Sequence, residues 1–412
     1  RGFVATEDVD VGDVLASIPL SRCLSVVEGV GRHPSDVELA LALVRTTAEE
    51  GGDPLWAEYR REFLPSTTGA AATWDTDTCR ELQFEPAVNA ALGLHEHFHS
   101  AASELSGSPA AMGASESEIV WAMSMVHSRS FGVTGPSGEH LRLLAPVCDM
   151  INHRAESPAE AAATDERVAA ATAGELDTTP WRIVAESDTA EPRFEIRAFD
   201  SFKTGEEAFI SYGHEANAEL LIPYGFFPDP NSADYVQLYD DFEELIMDDE
   251  KLPEMGFREA NRKEDMLWSL SAVSAPLAVR PGGVSQSQHL LGCLQCLHAS
   301  EEDLALMEEP FCDISGHHIL RWRVSADPIT PSQVRAERGA LEHARARAAE
   351  VLSDESALGA TPLEEDERLL GRLLHESDSE ENVKAALAYR IGVKKLLTAF
   401  ISDADQALAV TC

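Results

Sequence analysis

Gly205-Glu206-Glu207-Ala208-Phe209-Ile210-Ser211-Tyr212-Gly213 is the stretch on which the fold turns. Ala208 to Tyr212 reads as a short strand that Gly213 ends, so the chain delivers a tyrosine at a strand terminus. A tyrosine in that position by itself is ordinary packing. Two other segments change its meaning. Val126-His127-Ser128-Arg129-Ser130-Phe131 closes a long helical region, and Leu144-Ala145-Pro146-Val147-Cys148-Asp149-Met150-Ile151-Asn152-His153 follows a strand. Behind Tyr212 come Asn217-Ala218-Glu219-Leu220-Leu221 and Tyr224-Gly225-Phe226.

Around these segments the organisation is legible by period. Residues 1–28 alternate like strands, with Gly12 and Pro19 as punctuation. Ser35 reads as a helix N-cap with Glu38 three residues on. Residues 35–127 carry helical periods, broken at Gly51-Gly52, at Pro65 to Ala72 and at Ser106 to Pro109. Strands return over 128–235, including Arg142 to Val147 and Arg193 to Phe199. A low-complexity run of Ala, Glu, Thr and Asp over about 154–180 reads as a solvated surface insertion. From about 240 helical stripes dominate, one being Val383, Leu387, Ile391, Leu397, Phe400 and Ile401. The expected domains are therefore 1–235 and 240–412.

Composition narrows the function. The chain has 412 residues, 32 basic and 72 acidic, for a net charge of −40. A hydrophobic content of 44% is that of a folded chain rather than an acidic tail. Such a charge repels phosphate, so nucleic acid and an anionic membrane surface are poor partners, whereas a basic protein segment is favoured by steering. No uncharged apolar run reaches membrane-spanning length. Seven scattered cysteines make a disulfide framework improbable and point to an intracellular reducing compartment such as cytoplasm, nucleus or plastid. The sequence opens on Arg1 rather than Met, and we expect the natural N-terminus to lie upstream.

Two motifs are set aside. His95-Glu96-His97-Phe98-His99 fits H-E-x-x-H on a helix, but no third ligand follows at the spacing a zinc protease needs. It reads as a His-rich surface helix. Cys293-Leu294-Gln295-Cys296 has no second pair and sits in an apolar stripe, so both cysteines read as core.

The Asn-His pair, then Gly-Glu-Glu with Tyr-Gly five residues after the second Glu, resembles the SET-domain protein methyltransferases. The branch is that of the plant Rubisco large-subunit methyltransferase and the actin-histidine methyltransferases. Arg1-Gly2-Phe3-Val4-Ala5 is similar to that family's first strand. Trp56 to Tyr59, Leu64-Pro65 and Trp74 are similar to its helical insertion, and 381–395 to its C-terminal domain.

The resemblance implies an α+β fold: a β-rich SET domain with an inserted helical region, followed by an all-helical C-terminal domain that forms one wall of the substrate cleft. It implies S-adenosyl-L-methionine as cofactor and no metal. Tyr212 takes the catalytic position. Arg1, Gly2, Arg129, Asn152, His153 and Phe226 take cofactor positions, and Arg129, Ser130, Asp149 and Tyr224 take substrate positions.

The chemistry suits these residue types. In-line methyl transfer needs the acceptor nitrogen about 3 Å from the methyl carbon. It also needs a neutral amine, although free lysine has a pKa near 10.4. A dry aromatic channel lowers that value. A tyrosine hydroxyl can align the amine without competing as a strong nucleophile, and an arginine can fork onto a carboxylate.

The implied activity is methylation of a lysine on a non-histone protein by a monomeric enzyme. Lysine is preferred to histidine because Ser130 follows Arg129, where the histidine-directed branch has an asparagine, and because the small Cys148 precedes Asp149. The alternatives are a protein-histidine methyltransferase on the same fold and a catalytically silent SET binding module.

Overall fold

The computed structural model describes residues 2–48, 51–154, 180–185, 191–248, 257–270, 276–307, 311–312, 318–319, 329–376 and 380–410. Arg1 and almost all of the low-complexity insertion lie outside the described residues. The chain forms two compact units. One gathers 2–79, 89–154 and the described residues of 180–230, the other 80–88 and the described residues from 231 on.

The first unit contains three small three-stranded sheets. In chain order its strands are β1 (Phe3–Val4), β2 (Val14–Pro19), β3 (Leu24–Val27), β4 (Phe131–Thr134), β5 (His140–Leu144), β6 (Asn152–His153), β7 (Trp181–Val184), β8 (Arg193–Arg197) and β9 (Glu207–Ile210). The sheet orders are β1-β9-β6, β2-β8-β7 and β3-β5-β4. All neighbours are antiparallel except β6 and β9, which run parallel with Asn152 beside Phe209 and His153 beside Ile210. That register joins the Asn-His pair to β9, which ends at Ile210, two residues before Tyr212 and earlier than the sequence suggested. Phe131, Leu143, Cys148, Ile151, Phe194 and Ile210 share one buried cluster, and Tyr212 packs against it.

Between β3 and β4 the chain is helical: α1 (Ser35–Thr46), α2 (Pro54–Glu62), α3 (Thr76–Arg80), α4 (Glu85–Leu105) and α5 (Glu116–Arg129). The α1 cap lies one residue earlier than expected. Pro34 is the N-cap and Ser35 is already helical. Glu38 nevertheless caps backwards, accepting from the amides of Arg32 at 3.1 Å and His33 at 3.2 Å. After β9 comes α6 (Asn217–Tyr224).

The second unit is predominantly helical. Helix Pro331–Ser353 buries Ala336, Ala340, Ala344 and Ala348, a stripe every four residues. This small-residue face packs on helices Gln288–His298 and Glu381–Val410. Cys293 and Cys296 are fully buried, as core cysteines should be. The unit is not wholly helical, since Val236–Tyr239 pairs with Leu277–Val279 and Phe311–Cys312 with His318–Ile319. Among the described residues no helix is long and apolar enough to cross a membrane.

Candidate active site

A capping box starts α5: the Ser115 amide donates to Glu118 Oε2 at 3.0 Å, and the Glu118 amide donates to Ser115 Oγ at 3.3 Å. The helix ends when Ser130 turns extended (φ −82°, ψ 150°) to enter β4, leaving Arg129 as the last helical residue. After β5 the chain makes an abrupt turn. Val147 has φ +73° and ψ −51°, a conformation costly for a β-branched residue. The turn is pinned, because the Val147 amide donates to the Tyr59 hydroxyl at 3.0 Å. The same hydroxyl donates to Asp149 Oδ1. Arg129 Nη1 donates to the Asp149 carbonyl at 3.0 Å and lies 3.5 Å from Asp149 Oδ2.

This knot holds a buried carboxylate with one tyrosine and one rather distant cation. Burial pushes the Asp149 carboxyl up to about 6, with Arg129 and Tyr59 pulling the other way. Arg129 Nε is buried without a hydrogen-bond partner.

Tyr212 is fixed at both ends. Its amide donates to His153 Nδ1 at 3.0 Å and its hydroxyl donates to the Ile151 carbonyl at 2.7 Å. Burial raises its phenol to about 12, so it stays protonated near neutrality. Burial lowers the His153 imidazole to about 4, keeping it neutral. The Tyr212 ring lies 5.2 Å from His153, 5.2 Å from Tyr224 and 6.2 Å from Phe226, between centroids. Tyr224 and Phe226 flank Gly225, whose φ of +84° ends α6. A Cβ on Gly225 would lie 2.5 Å from the Ala70 nitrogen, so only glycine lets the two backbones meet there.

Arg129, Asp149, Asn152, Tyr212, Tyr224 and Phe226 line one cavity of about 570 Å³. His153 stands behind it, against Tyr212 and Phe226. Gly2 sits so close to Asn152 that a Cβ would fall 2.8 Å from its Nδ2. Asn152 Nδ2 itself donates to Glu207 Oε1 at 2.7 Å. Ser130 is outside the lining; its hydroxyl accepts from Arg142 Nε at 2.9 Å, and Ser128 faces the cavity instead. Cys148 is fully buried in the core. The two positions on which the sequence preferred lysine therefore do not face the cavity. Tyr59 is the residue that sequence reasoning passed over, because its partner Asp149 lies 90 positions away.

The site can take a cofactor of the expected kind. Its volume is within the range of about 300–1,000 Å³ typical of small-molecule sites. It offers an amide, a guanidinium and four aromatic rings, with a glycine against the amide where a side chain would intrude.

The fold is that of a SET domain followed by a mainly helical unit. The whole chain superposes on the SET domain of LSMT bound to lysine and AdoHcy, with a TM-score of 0.62, 17% identity and 85% of that chain covered. It likewise superposes on Rubisco LSMT bound to AdoMet, with a TM-score of 0.57, 16% identity and 86% of that chain covered. In sequence it is similar to the actin-histidine N-methyltransferase of Canis lupus familiaris, 28% identical over 262 residues, which is 58% of this chain and 40% of the relative. The protein of the same name from Gallus gallus is 34% identical over 119 residues, 29% of this chain and 16% of the relative. The chain thus spans less than half the length of these curated relatives. No family model matches it.

Proposed function

We propose that the chain is an S-adenosylmethionine-dependent protein N-methyltransferase. The observation that carries this reading is the convergence of Tyr212, Arg129 and Asn152 on one cavity within a SET fold. When bound, S-adenosylmethionine supplies an electrophilic methyl on a sulfonium. Arg129, which lines the cavity, would meet its carboxylate. Asn152, Gly2 and Arg1 would hold its polar edges, and Phe226, backed by neutral His153, would pack its ring.

Tyr212 is the catalytic residue of this reading. Its proton is engaged by the Ile151 carbonyl, so the oxygen lone pairs are available to an acceptor N–H. Its high pKa keeps a competing phenolate out of the site. Asp149 and Tyr59 fix the guanidinium of Arg129 from behind, while Asp149 and Tyr224 face the acceptor.

For the acceptor we favour a lysine of a protein substrate, with one chain as the working unit. The triangle of Tyr212, Tyr224 and Phe226 suits the apolar alkyl stem of a lysine. Histidine is the second reading, favoured by the actin-histidine name of the sequence relatives. The test is incubation with isotopically labelled cofactor and a cell lysate, followed by fragment-ion mass spectrometry. A label on lysine Nζ is expected. A label on an imidazole nitrogen would move the assignment to histidine. Cofactor binding by calorimetry without any protein labelling would make the chain a silent binding module.

A further inference from the structure

The described residues hold one group of metal-ligating side chains whose donor atoms all lie within 4.8 Å of one another: Asp36, His97 and His127. It is separate from the residues lining the active-site cavity. Asp36 lies in the first turn of α1, His97 in the interior of α4 and His127 in the last turn of α5. Both imidazoles address the same oxygen. His97 Nε2 is 2.7 Å and His127 Nε2 is 2.9 Å from Asp36 Oδ2. The Asp36 side chain is 9% exposed, that of His127 18% and that of His97 38%, so the group is closed on one side and open to solvent at His97.

We propose that Asp36, His97 and His127 form a binding site for one divalent transition-metal ion of the zinc type. Two imidazole nitrogens and one carboxylate oxygen are the donor set zinc prefers, whereas magnesium and calcium take oxygen. Zinc bonds of about 2.0–2.1 Å put tetrahedral ligand atoms roughly 3.3 Å apart, so each imidazole need move from Asp36 Oδ2 by only about half an ångström. Three ligands from three helices leave a fourth position for water on the open side.

The protonation states allow it. Each imidazole now faces Asp36 through Nε2, and a metal taking that position would displace the Nε2 proton, leaving the neutral ring with its proton on Nδ1. The Phe98 ring, 4.9 Å from that of His127, holds the imidazole from one side.

The H-E-x-x-H spacing misidentifies the ligands. His95 and His99 lie on one helical face and pack ring to ring at 4.2 Å, but His95 Nδ1 sits 3.2 Å from the Ala72 carbonyl and neither belongs to the group. His97, the residue between them, is the one that meets the other helices. Since Arg129 follows His127 by two residues on α5, the ion would also stiffen the helix end that reaches the active site.

The test uses the full chain, stripped with a chelator and dialysed, and zinc or cobalt(II) chloride as the only probe. Calorimetry should give one high-affinity zinc per chain, and the melting midpoint should rise by several degrees with saturating zinc. Cobalt(II) should show the visible ligand-field absorption of a low-coordinate site. His97→Ala, at the exposed ligand where truncation leaves the core intact, should weaken binding at least tenfold, as should His127→Ala. The His95→Ala/His99→Ala double variant should bind like the wild type. The proposal fails if the wild-type chain shows no saturable zinc binding, or if His97→Ala keeps the affinity and the cobalt spectrum unchanged.

Discussion

Two buried aspartates, one in each unit, face opposite ways in energy. Asp366, in the second unit, is fully buried and its carboxylate is closed on every side. Oδ1 accepts from Arg390 Nη2 at 2.6 Å and Thr361 Oγ1 at 2.8 Å, and Oδ2 accepts from Lys394 Nζ at 2.5 Å. Lys394 also donates to the Thr361 carbonyl and Arg390 to Glu81. Burial pushes the Asp366 carboxyl up, but these partners outweigh it and its pKa ends below the usual value. Asp149 has only Tyr59 and an Arg129 at 3.5 Å, burial wins, and its pKa ends high. A closed cluster of this kind holds a fold together. The under-paired Asp149 keeps a raised pKa beside a cavity, the kind of perturbed group that gathers at functional sites.

Asp366→Asn should therefore cause the largest change. It removes one charge and leaves Arg390 and Lys394 buried against nothing anionic at that oxygen, a loss of roughly 3–5 kcal/mol. The melting midpoint should fall by about ten degrees or more. The wild-type contribution is present above the ordinary carboxylate pKa of 3.8 and is lost as the pH falls through the still lower folded value. A midpoint within two degrees of wild type would remove the closed cluster from its structural role. Cofactor affinity, measured by calorimetry, should stay within a few-fold.

Tyr212→Phe comes next and should leave stability alone. The ring keeps its contacts with His153 and Tyr224, and one aligned oxygen goes. Losing a contact of this type costs roughly 3 kcal/mol, a hundredfold or more in single-turnover methyl transfer. Affinity for S-adenosylmethionine should change by no more than a few-fold. Half the wild-type rate in the variant would take Tyr212 out of the chemistry.

How far the sequence could carry this reading follows from the range of each contact. The Asn-His pair and the Tyr212 strand were legible because a parallel two-residue pairing joins two local patterns. Arg129 was legible as the end of a helix. Tyr59 was not, since nothing near it in the chain states that its hydroxyl will reach both Val147 and Asp149. The Asp36 group was hidden by a spacing rule that selects residues four apart on one helix, whereas these ligands come from three helices. Ser130 and Cys148 were read by position in the chain, and tertiary packing turned the first towards Arg142 and the second into the core.

The pH dependence of transfer separates lysine from histidine as acceptor. His153, near 4, and Asp149, near 6, are settled before pH 7, and Tyr212, near 12, is not yet titrating at pH 9. Glu215 is the exception: burial and then Glu219 raise it to about 7, and its charge acts on Tyr224. A lysine acceptor whose amine is lowered by the aromatic channel should give about a tenfold rise between pH 7 and 9. Glu215→Gln should retain that rise. An imidazole acceptor is mostly neutral already at pH 7.5, and a saturated substrate would give a nearly flat profile.

Asp149→Asn is expected to change stability far less than Asp366→Asn, and in a pH-dependent direction. The Asp149 pKa of about 6 in the fold exceeds the ordinary 3.8, so the folded chain holds this proton more tightly than the unfolded one. The stability from this group is full below about pH 4 and is lost as the pH rises through 6, by roughly 3 kcal/mol at most. Asparagine carries no charge and escapes that loss, but mismatches the hydrogen bond from Tyr59 at a cost of about 1–2 kcal/mol. The variant should thus be the less stable protein near pH 4 and equal or better near pH 7, with a midpoint within about three degrees there. Urea midpoints at pH 4, 5.5 and 7 read the crossing directly. If Asp149→Asn lowers stability at pH 7 as much as Asp366→Asn does, the two aspartates are the same kind of residue, and the raised pKa of Asp149 no longer marks it out from a structural cluster.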